Sequence, residues 1–131
     1  MPDPTPHPLD HLAERGHDAA AALVLRGETL SWKDLRTRVA RLAGWLAERV
    51  PEPGARVATW AAKGELTCLM PLAAARAGLV HVPVNPLLKR AQVGHIVADC
   101  GARLLIGTAA RLATLEATER SASSSAMDWQ P

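Results

Sequence analysis

The sequence predicts an α/β fold, a partial parallel-sheet βαβ subdomain with an N-terminal β-hairpin. Two short runs of apolar, β-forming residues, Arg56–Trp60 and Leu79–Val84, enclose an Ala- and Leu-rich segment of helical length, Leu66–Ala77. Short apolar strands on either side of a helix are typical of parallel strands whose two faces are both buried. The turn pair Asn85-Pro86 closes the second run.

The N-terminal region contains several potential metal ligands before the first predicted strand. Residues 1–8 are rich in proline and are expected to form a flexible tail, and Leu9–Gly16 is compatible with a short helix. Imidazole and carboxylate groups close together can hold a metal ion, and this region carries His7, Asp10, His11, Glu14 and His17. Because Pro8 separates the first two histidines and the segment lies at a chain end, we predict no metal site.

A β-hairpin and a long helix are predicted next. Ala21–Arg26 and Thr29–Ser31 flank Gly27-Glu28, a pattern that favours two antiparallel strands joined by a two-residue turn led by glycine. The segment Ser31–Asp34 fits a capping box, in which the serine and aspartate side chains satisfy free backbone N–H groups at a helix start. The helix should run from Trp32 to Arg49 and end before a proline.

The pattern after the central unit predicts a further strand between two helices. Leu88–Asp99 has helical periodicity, Ala102–Ile106 is a third buried strand, and Thr108–Ala117 is a further helix. We therefore expect one α/β domain over residues 9–117. Residues 118–131 are rich in serine and are expected to be disordered. A parallel sheet that stops after so few strands leaves an uncovered edge, so the chain is expected to be cut short.

Polar residues near the carboxyl ends of the predicted strands are the candidate site residues. Ligands of open parallel sheets tend to bind outside these strand ends, where the sequence places His81, Asn85 and His95. These three residues are the only candidates for a binding or catalytic site, but ordinary turn and surface positions are the favoured interpretation. No catalytic, cofactor-binding or metal-binding residue is assigned from the sequence.

Composition excludes several other classes of protein. The 131 residues have a net charge of +2 with scattered basic side chains and only four aromatic residues, all Trp, so we predict no nucleic-acid partner. Cys68 and Cys100 lie within apolar segments and are expected to be buried, reduced thiols. Together with the lack of a secretory signal, this predicts a cytoplasmic protein. Charge and prolines interrupt the longest apolar stretch, Leu66–Val84, so no membrane span is predicted.

The sequence lacks the common catalytic motifs. It contains no phosphate-binding loop of the Gly-x4-Gly-Lys-Ser/Thr type, no Gly-x-Gly-x-x-Gly after a predicted strand, no Gly-x-Ser-x-Gly and no His-Glu-x-x-His. From the residues alone, two interpretations remain open. The chain is a stand-alone binding or interaction module, or a small enzyme that uses His81 and His95.

The succession of elements resembles the N-terminal segment of the AMP-forming synthetases and ligases, the superfamily of acyl-CoA synthetases and adenylation domains. The resemblance covers residues 9–116, and its pieces are Arg26–Leu35, Arg41–Leu46, Pro53–Ala58, Leu72–Gly78, Val82–Pro86 and Ile96–Ile106. The run Val84–Lys89, followed by Gln92-Val93, is most similar to the acyl-CoA ligases associated with exosortase systems.

This resemblance implies that the chain is the start of the large N-terminal domain of an adenylate-forming enzyme. Full-length relatives convert a carboxylate, ATP and coenzyme A to acyl-CoA, AMP and pyrophosphate through an acyl-adenylate, with Mg as cofactor. Their Thr/Ser/Gly-rich loop ending in Pro-Lys-Gly, their ribose-binding acidic residue and their mobile lysine have no counterpart here. The resemblance therefore implies a chain that is inactive alone and a missing ligase remainder that completes the sheet.

Overall fold

The computed structural model describes residues 5–115 and, for the backbone alone, residues 126–128. A short 3-10 helix, Leu9–Glu14, precedes the first strand. The strands are β1 (Ala21–Leu25), β2 (Glu28–Ser31), β3 (Arg56–Trp60), β4 (Val80–Pro83), β5 (Leu104–Gly107) and β6 (Ala126–Asp128). The helices are α1 (Trp32–Arg49), α2 (Glu65–Arg76), α3 (Arg90–Cys100) and α4 (Ala109–Leu112).

The predicted α/β fold is confirmed. Strands β1 and β2 form an antiparallel hairpin, and the other strands form a sheet in the order β4-β3-β5-β6. Strand β3 pairs in parallel with β4 on one side and with β5 on the other. The buried apolar runs of the sequence are therefore neighbours in a parallel sheet.

Helices cover both faces of this sheet. Along β3, Val57 points to the face covered by α1 and α2, whereas Ala58 and Trp60 point to the face covered by α3 and α4. This alternation follows from the two-residue period of a strand. The core on the first face also contains apolar side chains of both long helices, among them Val39, Leu42, Leu46, Leu69 and Met70.

Helix α1 has the predicted start and end. The Ser31 hydroxyl oxygen accepts a hydrogen bond from the backbone N–H of Asp34 (3.1 Å), and the Asp34 carboxylate accepts one from the backbone N–H of Ser31 (3.1 Å). This is the predicted capping box. Hydrogen bonds from the Ser31 side chain and backbone lower the pKa of Asp34.

The hairpin turn differs from the prediction by one residue. Leu25 pairs with Glu28, so the turn residues are Arg26 and Gly27 rather than Gly27 and Glu28. Gly27 has a φ of 82° and therefore occupies the second turn position, where a positive φ suits glycine. Glu28 becomes a strand residue as a result.

The N-terminal 3-10 helix is held against α1 by a single arginine. Arg36 donates hydrogen bonds of 3.1 Å to the carbonyl oxygens of Ala13 and Gly16, and it forms an ion pair with Asp18. Ala13 is buried in the core of the α1–α2 face. This segment therefore packs as part of the domain from Leu9 onward.

The helix predicted over Thr108–Ala117 is shorter where the structure describes it. Helix α4 covers Ala109–Leu112, and the Thr108 side chain caps its start (Arg111 N–H to Oγ1, 3.4 Å). The serine-rich segment 118–131 lies outside the described residues except for Ala126–Asp128. The backbone of these three residues pairs with β5 as a short parallel strand, and the disorder expected for the segment stays a prediction.

The two cysteines are less buried than expected. Cys68 is exposed and Cys100 is partly exposed. Helix α2 directs Leu69, Met70 and Leu72 into the core, so Cys68 falls on its outer side. In the described part of the chain, no helix is long and apolar enough to cross a membrane.

Candidate binding cleft at the carboxyl ends of β3 and β4

A cleft opens where β3 and β4 end, on the face of the sheet that α2 covers. Its volume is about 330 Å³, within the range of small-molecule sites. The lining combines polar side chains with apolar walls and consists of Thr59, Ala61, Lys63, Thr67, His81, Pro83, Val84, Asn85 and Pro86.

A buried threonine and a half-buried histidine form the polar floor of this cleft. The Thr59 Oγ1 atom lies 2.8 Å from Nε2 of His81. In the parallel register, His81 is opposite Val57, so it shares the sheet face of Val57 and of Thr59 two residues further along. Thr59 is 2% exposed, the one buried polar residue in the described part of the chain.

The donor and acceptor of this hydrogen bond depend on which imidazole nitrogen carries the proton. With the proton on Nδ1, the Thr59 hydroxyl donates to Nε2 and this buried donor is satisfied, whereas an unsatisfied buried donor costs about 1–3 kcal/mol. Burial also lowers the pKa of His81, because it disfavours the charged form.

The remaining polar groups of the cleft come from the loops that follow the two strands. Asn85 accepts a hydrogen bond from the backbone N–H of Leu87 (2.9 Å) through Oδ1, so its amide nitrogen is available to donate. The Thr67 hydroxyl is engaged with the backbone of Gly64, accepting from N–H (3.0 Å) and donating to the carbonyl (2.9 Å). Lys63, in the loop before α2, contributes a positive charge.

The structure brings together two of the three candidate residues found in the sequence. His81 and Asn85 line the same cleft, whereas His95 is an exposed residue of α3, which covers the opposite face. The hypothesis of an enzyme that uses His81 and His95 together therefore has no geometric support. Sequence reasoning missed Thr59 and Lys63. A polar residue inside the apolar run Arg56–Trp60 was the signal that could have identified Thr59.

A second, smaller cleft of about 220 Å³ lies between the ends of β3 and β5. The helix after β3 covers one face of the sheet and the helix after β5 packs against the other, the arrangement of a topological switch point. The cleft is lined mainly by backbone and apolar groups, and its one charged side chain, Glu65, is paired with Arg38 (2.8 Å). This cleft therefore has few polar or charged side chains that could bind a ligand.

Two of the N-terminal histidines are neighbours in the structure. The rings of His7 and His11 stack with their centroids 5.2 Å apart. Within residues 5–115, no three His, Cys, Asp or Glu side chains converge in a way that could hold a metal ion. The potential ligands near the N-terminus are therefore spread along the segment rather than gathered at one point.

Comparisons with known proteins identify the fold and the family. An L-proline–[L-prolyl-carrier protein] ligase from Pseudomonas fluorescens is 34% identical over 94 residues, which are 72% of this chain and 19% of that protein. A feruloyl-CoA synthase from Amycolatopsis is 36% identical over 98 residues, 75% of this chain and 20% of that protein. The crystal structure of ATP-bound MatB from Rhodopseudomonas palustris superposes with a TM-score of 0.81 at 20% identity, covering 92% of this chain and 24% of MatB.

The chain thus spans a quarter or less of the length of these relatives. A family model described as AMP-binding enzyme matches residues 9–129, nearly the whole of the chain. The solved neighbour shows the same fold, and the two curated relatives are more than 30% identical across most of this chain. This chain belongs to the AMP-binding enzyme family.

Proposed function

We propose that this chain is the N-terminal scaffold of an AMP-forming acyl-CoA ligase. The complete enzyme would convert a carboxylate, ATP and coenzyme A to acyl-CoA, AMP and pyrophosphate through an acyl-adenylate. The observation that carries the proposal is the family match over residues 9–129, in relatives of which this chain covers a quarter or less.

The choice of coenzyme A as acyl acceptor depends on a finer similarity. One named relative is a CoA synthase and the other is a ligase for a carrier protein, so the family alone leaves the acceptor open. The run Val84–Lys89 followed by Gln92-Val93 is most similar to the acyl-CoA ligases associated with exosortase systems. This similarity favours coenzyme A as the acceptor. We also propose that the complete enzyme acts on a fatty acid and is located in the cytoplasm.

The described residues do not fit the phosphate and magnesium sites that this chemistry needs. The sequence has no Thr/Ser/Gly-rich loop ending in Pro-Lys-Gly, and no cluster of metal ligands exists among the residues that the structure describes. We therefore assign no catalytic step to this chain. Its role in the proposal is to supply the first strands and helices on which the rest of the domain is built, and the chain alone is inactive.

The alternative is a stand-alone α/β binding or interaction module without catalysis. Strand β4 is an edge of the sheet, and its Val80 is 48% exposed, which leaves backbone and apolar groups for a partner. A module of this kind should be stable and monomeric alone at high concentration. A scaffold should aggregate alone and be rescued by the remainder of a ligase.

A chimera separates the two functions directly. The matching 98-residue segment of the Amycolatopsis feruloyl-CoA synthase is replaced by the corresponding residues of this chain, and feruloyl-CoA formation is measured. A scaffold supports activity above that of the same enzyme with the segment deleted, whereas a segment that has become a separate module does not. In parallel, the 131-residue chain is assayed for carboxylate-dependent ATP–pyrophosphate exchange, for which we expect no signal. Exchange by the chain alone would contradict the proposal.

A further inference from the structure

We propose that Thr59 and His81 form a nucleophile–base pair that hydrolyses small carboxylic esters. The Oγ1 atom of Thr59 lies 2.8 Å from Nε2 of His81, and both residues line the cleft of about 330 Å³ at the ends of β3 and β4. A hydroxyl group within hydrogen-bond reach of an imidazole is the arrangement that activates a nucleophile. This activity goes beyond the scaffold role. It needs neither ATP nor coenzyme A and is separate from the ligation for which the chain alone is inactive.

The imidazole of His81 is suited to act as the base. In the tautomer that carries its proton on Nδ1, the Nε2 atom accepts the hydrogen bond from the Thr59 hydroxyl. Burial lowers the pKa of His81, so the ring is neutral and able to take a proton at about pH 7. His81 can therefore receive the hydroxyl proton when Thr59 attacks a carbonyl carbon.

The two neighbouring strands hold the pair in place. His81 is opposite Val57 in the parallel register, and Thr59 follows two residues later on the same sheet face. Thr59 is buried and has a β-branched side chain with few rotamers, so its hydroxyl stays beside the imidazole at the floor of the cleft. The other hydroxyl of the cleft, that of Thr67, is engaged with the backbone of Gly64. Thr59 is therefore the nucleophile.

The cleft also offers hydrogen-bond donors to the oxyanion that forms during the attack. The Oδ1 atom of Asn85 accepts a hydrogen bond from the backbone N–H of Leu87 (2.9 Å), which leaves the amide N–H groups to donate. Lys63 lines the same cleft, and its ammonium group has donors alone. Donors aimed at developing negative charge supply a large part of the catalysis in acyl transfer. Asn85 and Lys63 are the groups that stabilise this charge.

The reaction has two balanced steps. Thr59 Oγ1 attacks the ester carbonyl carbon while its proton passes to Nε2 of His81, and the alkoxy group then takes this proton and leaves as an alcohol. A water molecule next gives a proton to Nε2 and attacks the acyl group, and Oγ1 regains the proton as the carboxylic acid leaves. The sum is the conversion of an ester and water to an acid and an alcohol, without an oxidant, a reductant or a cofactor.

The surroundings of the pair limit both the substrate and the rate. The volume of the cleft and its walls of Ala61, Pro83, Val84 and Pro86 suit an ester with a short acyl chain. Among the described residues, Thr59 is the one side chain bonded to the imidazole, so no carboxylate orients the ring. In a Ser-His-Asp triad, loss of the correctly placed carboxylate lowers kcat about 10⁴-fold. We therefore expect slow turnover of esters with a good leaving group.

The test uses the monomeric fraction of the intact 131-residue chain and para-nitrophenyl butyrate. Release of nitrophenolate gives the rate, and mass spectrometry of the acid-quenched protein locates the butyryl group. We expect more than one turnover per chain and a butyryl group on Thr59. Thr59→Val, which has nearly the same shape, and His81→Phe should each lower the rate about 100-fold or more. Thr59→Ser, which keeps a hydroxyl group, should retain activity.

Two further variants separate catalysis from stability. Asn85→Asp keeps the oxygen that accepts from Leu87 but loses the amide donor, so it should fold and lose about 100-fold in rate. This variant keeps the test informative even if His81→Phe fails to fold. His95→Phe removes an exposed imidazole from α3, on the opposite face, and should leave the rate unchanged.

Three results would overturn the proposal. A Thr59→Val variant as fast as the native chain would exclude the nucleophile, and a butyryl group on Lys63 instead of Thr59 would show nonspecific acylation. An Asn85→Asp variant with the native rate would contradict the donors assigned to the oxyanion. Because the assay contains no ATP and no coenzyme A, none of these results changes the outcome of the feruloyl-CoA synthase chimera.

Discussion

The guanidinium group of Arg111 lies 5.6 Å above the ring centroid of Trp60. Arg111 belongs to α4 and Trp60 ends β3, so the contact joins the end of β3 to the helix that follows the neighbouring strand β5. The same side chain donates a 2.6 Å hydrogen bond to the carbonyl oxygen of Pro86, in the loop after β4. One arginine thus connects the carboxyl ends of β3 and β4 and the start of α4.

Replacing this arginine should destabilise the domain. Arg111→Met removes a cation–π contact and a charge-assisted hydrogen bond to a carbonyl group, with an expected loss of about 2 kcal/mol in the free energy of unfolding. Arg111→Lys keeps a charge but cannot reproduce both contacts, so its loss should be intermediate. Urea unfolding of the three proteins measures the difference. A Met variant as stable as the native protein would show that the contacts are energetically unimportant.

Two glycine-to-alanine substitutions should have opposite effects. A Cβ atom on Gly107, at the end of β5, would lie 2.9 Å from the Trp60 carbonyl oxygen and 3.3 Å from the Leu112 side chain. This overpacking should cost about 2 kcal/mol. Gly44, exposed within α1, has no atom within 4 Å of the added group, so Gly44→Ala should stabilise by about 0.5–1 kcal/mol through helix propensity. Thermal unfolding compares them, and equal melting temperatures would contradict the packing at Gly107.

Stability should fall at mildly acidic pH because of His81. Its pKa in the folded chain is lowered by burial from the usual 6.5, so below that pH the unfolded chain binds a proton that the folded chain resists. Above about pH 7 His81 is neutral in both states and does not reduce the free energy of unfolding. As the pH falls through about 6.5, protonation of His81 in the unfolded chain lowers the free energy of unfolding. We expect a drop in unfolding free energy between pH 7.5 and 5.5 that is smaller in His81→Phe and unchanged in His95→Phe. The same slope in all three proteins would contradict the assignment.

A salt-dependent contribution should come from Arg38, which pairs with Glu28 of the hairpin and Glu65 of α2 at 2.8 Å each. Hydrogen bonds to Glu65 and then Glu28 raise the pKa of Arg38. Because the pairs are partly exposed, Arg38→Gln should cost about 1 kcal/mol at low salt and less at about 1 M salt. Arg41→Gln, on the same helix with no ion pair among the described residues, is the control. If salt does not reduce the loss of stability in Arg38→Gln, the loss comes from packing of the arginine side chain rather than from its ion pairs.

The sequence predicted the bounds of helices and strands best where turn and capping residues flank a segment whose apolar side chains are buried. The bounds of α1 follow from the Ser31–Asp34 capping box and the proline after the helix, and those of β3 from a run of β-formers between turn residues. The shift in the hairpin arose because Gly27 suits the second turn position as well as the first. Cys68 illustrates a limit of composition, since an apolar segment does not reveal which side of the helix faces solvent.

The cleft itself depends on register and could be predicted only in part. The rule that ligands gather at the carboxyl ends of parallel strands selected His81 and Asn85, which line the same cleft. The contact between Thr59 and His81 requires β3 and β4 to pair with Val57 opposite His81, and no local signal in either strand determines that alignment. His95 was selected by the same rule, but α3 places it on the opposite face.

The central proposal, that this chain is the scaffold of a larger ligase, is tested most directly by sequencing the transcript through and beyond the codon for Pro131. The proposal predicts that a Thr/Ser/Gly-rich loop ending in Pro-Lys-Gly is encoded downstream, in this or a shifted reading frame. A transcript that encodes nothing of this kind would contradict it and would favour the stand-alone interaction module.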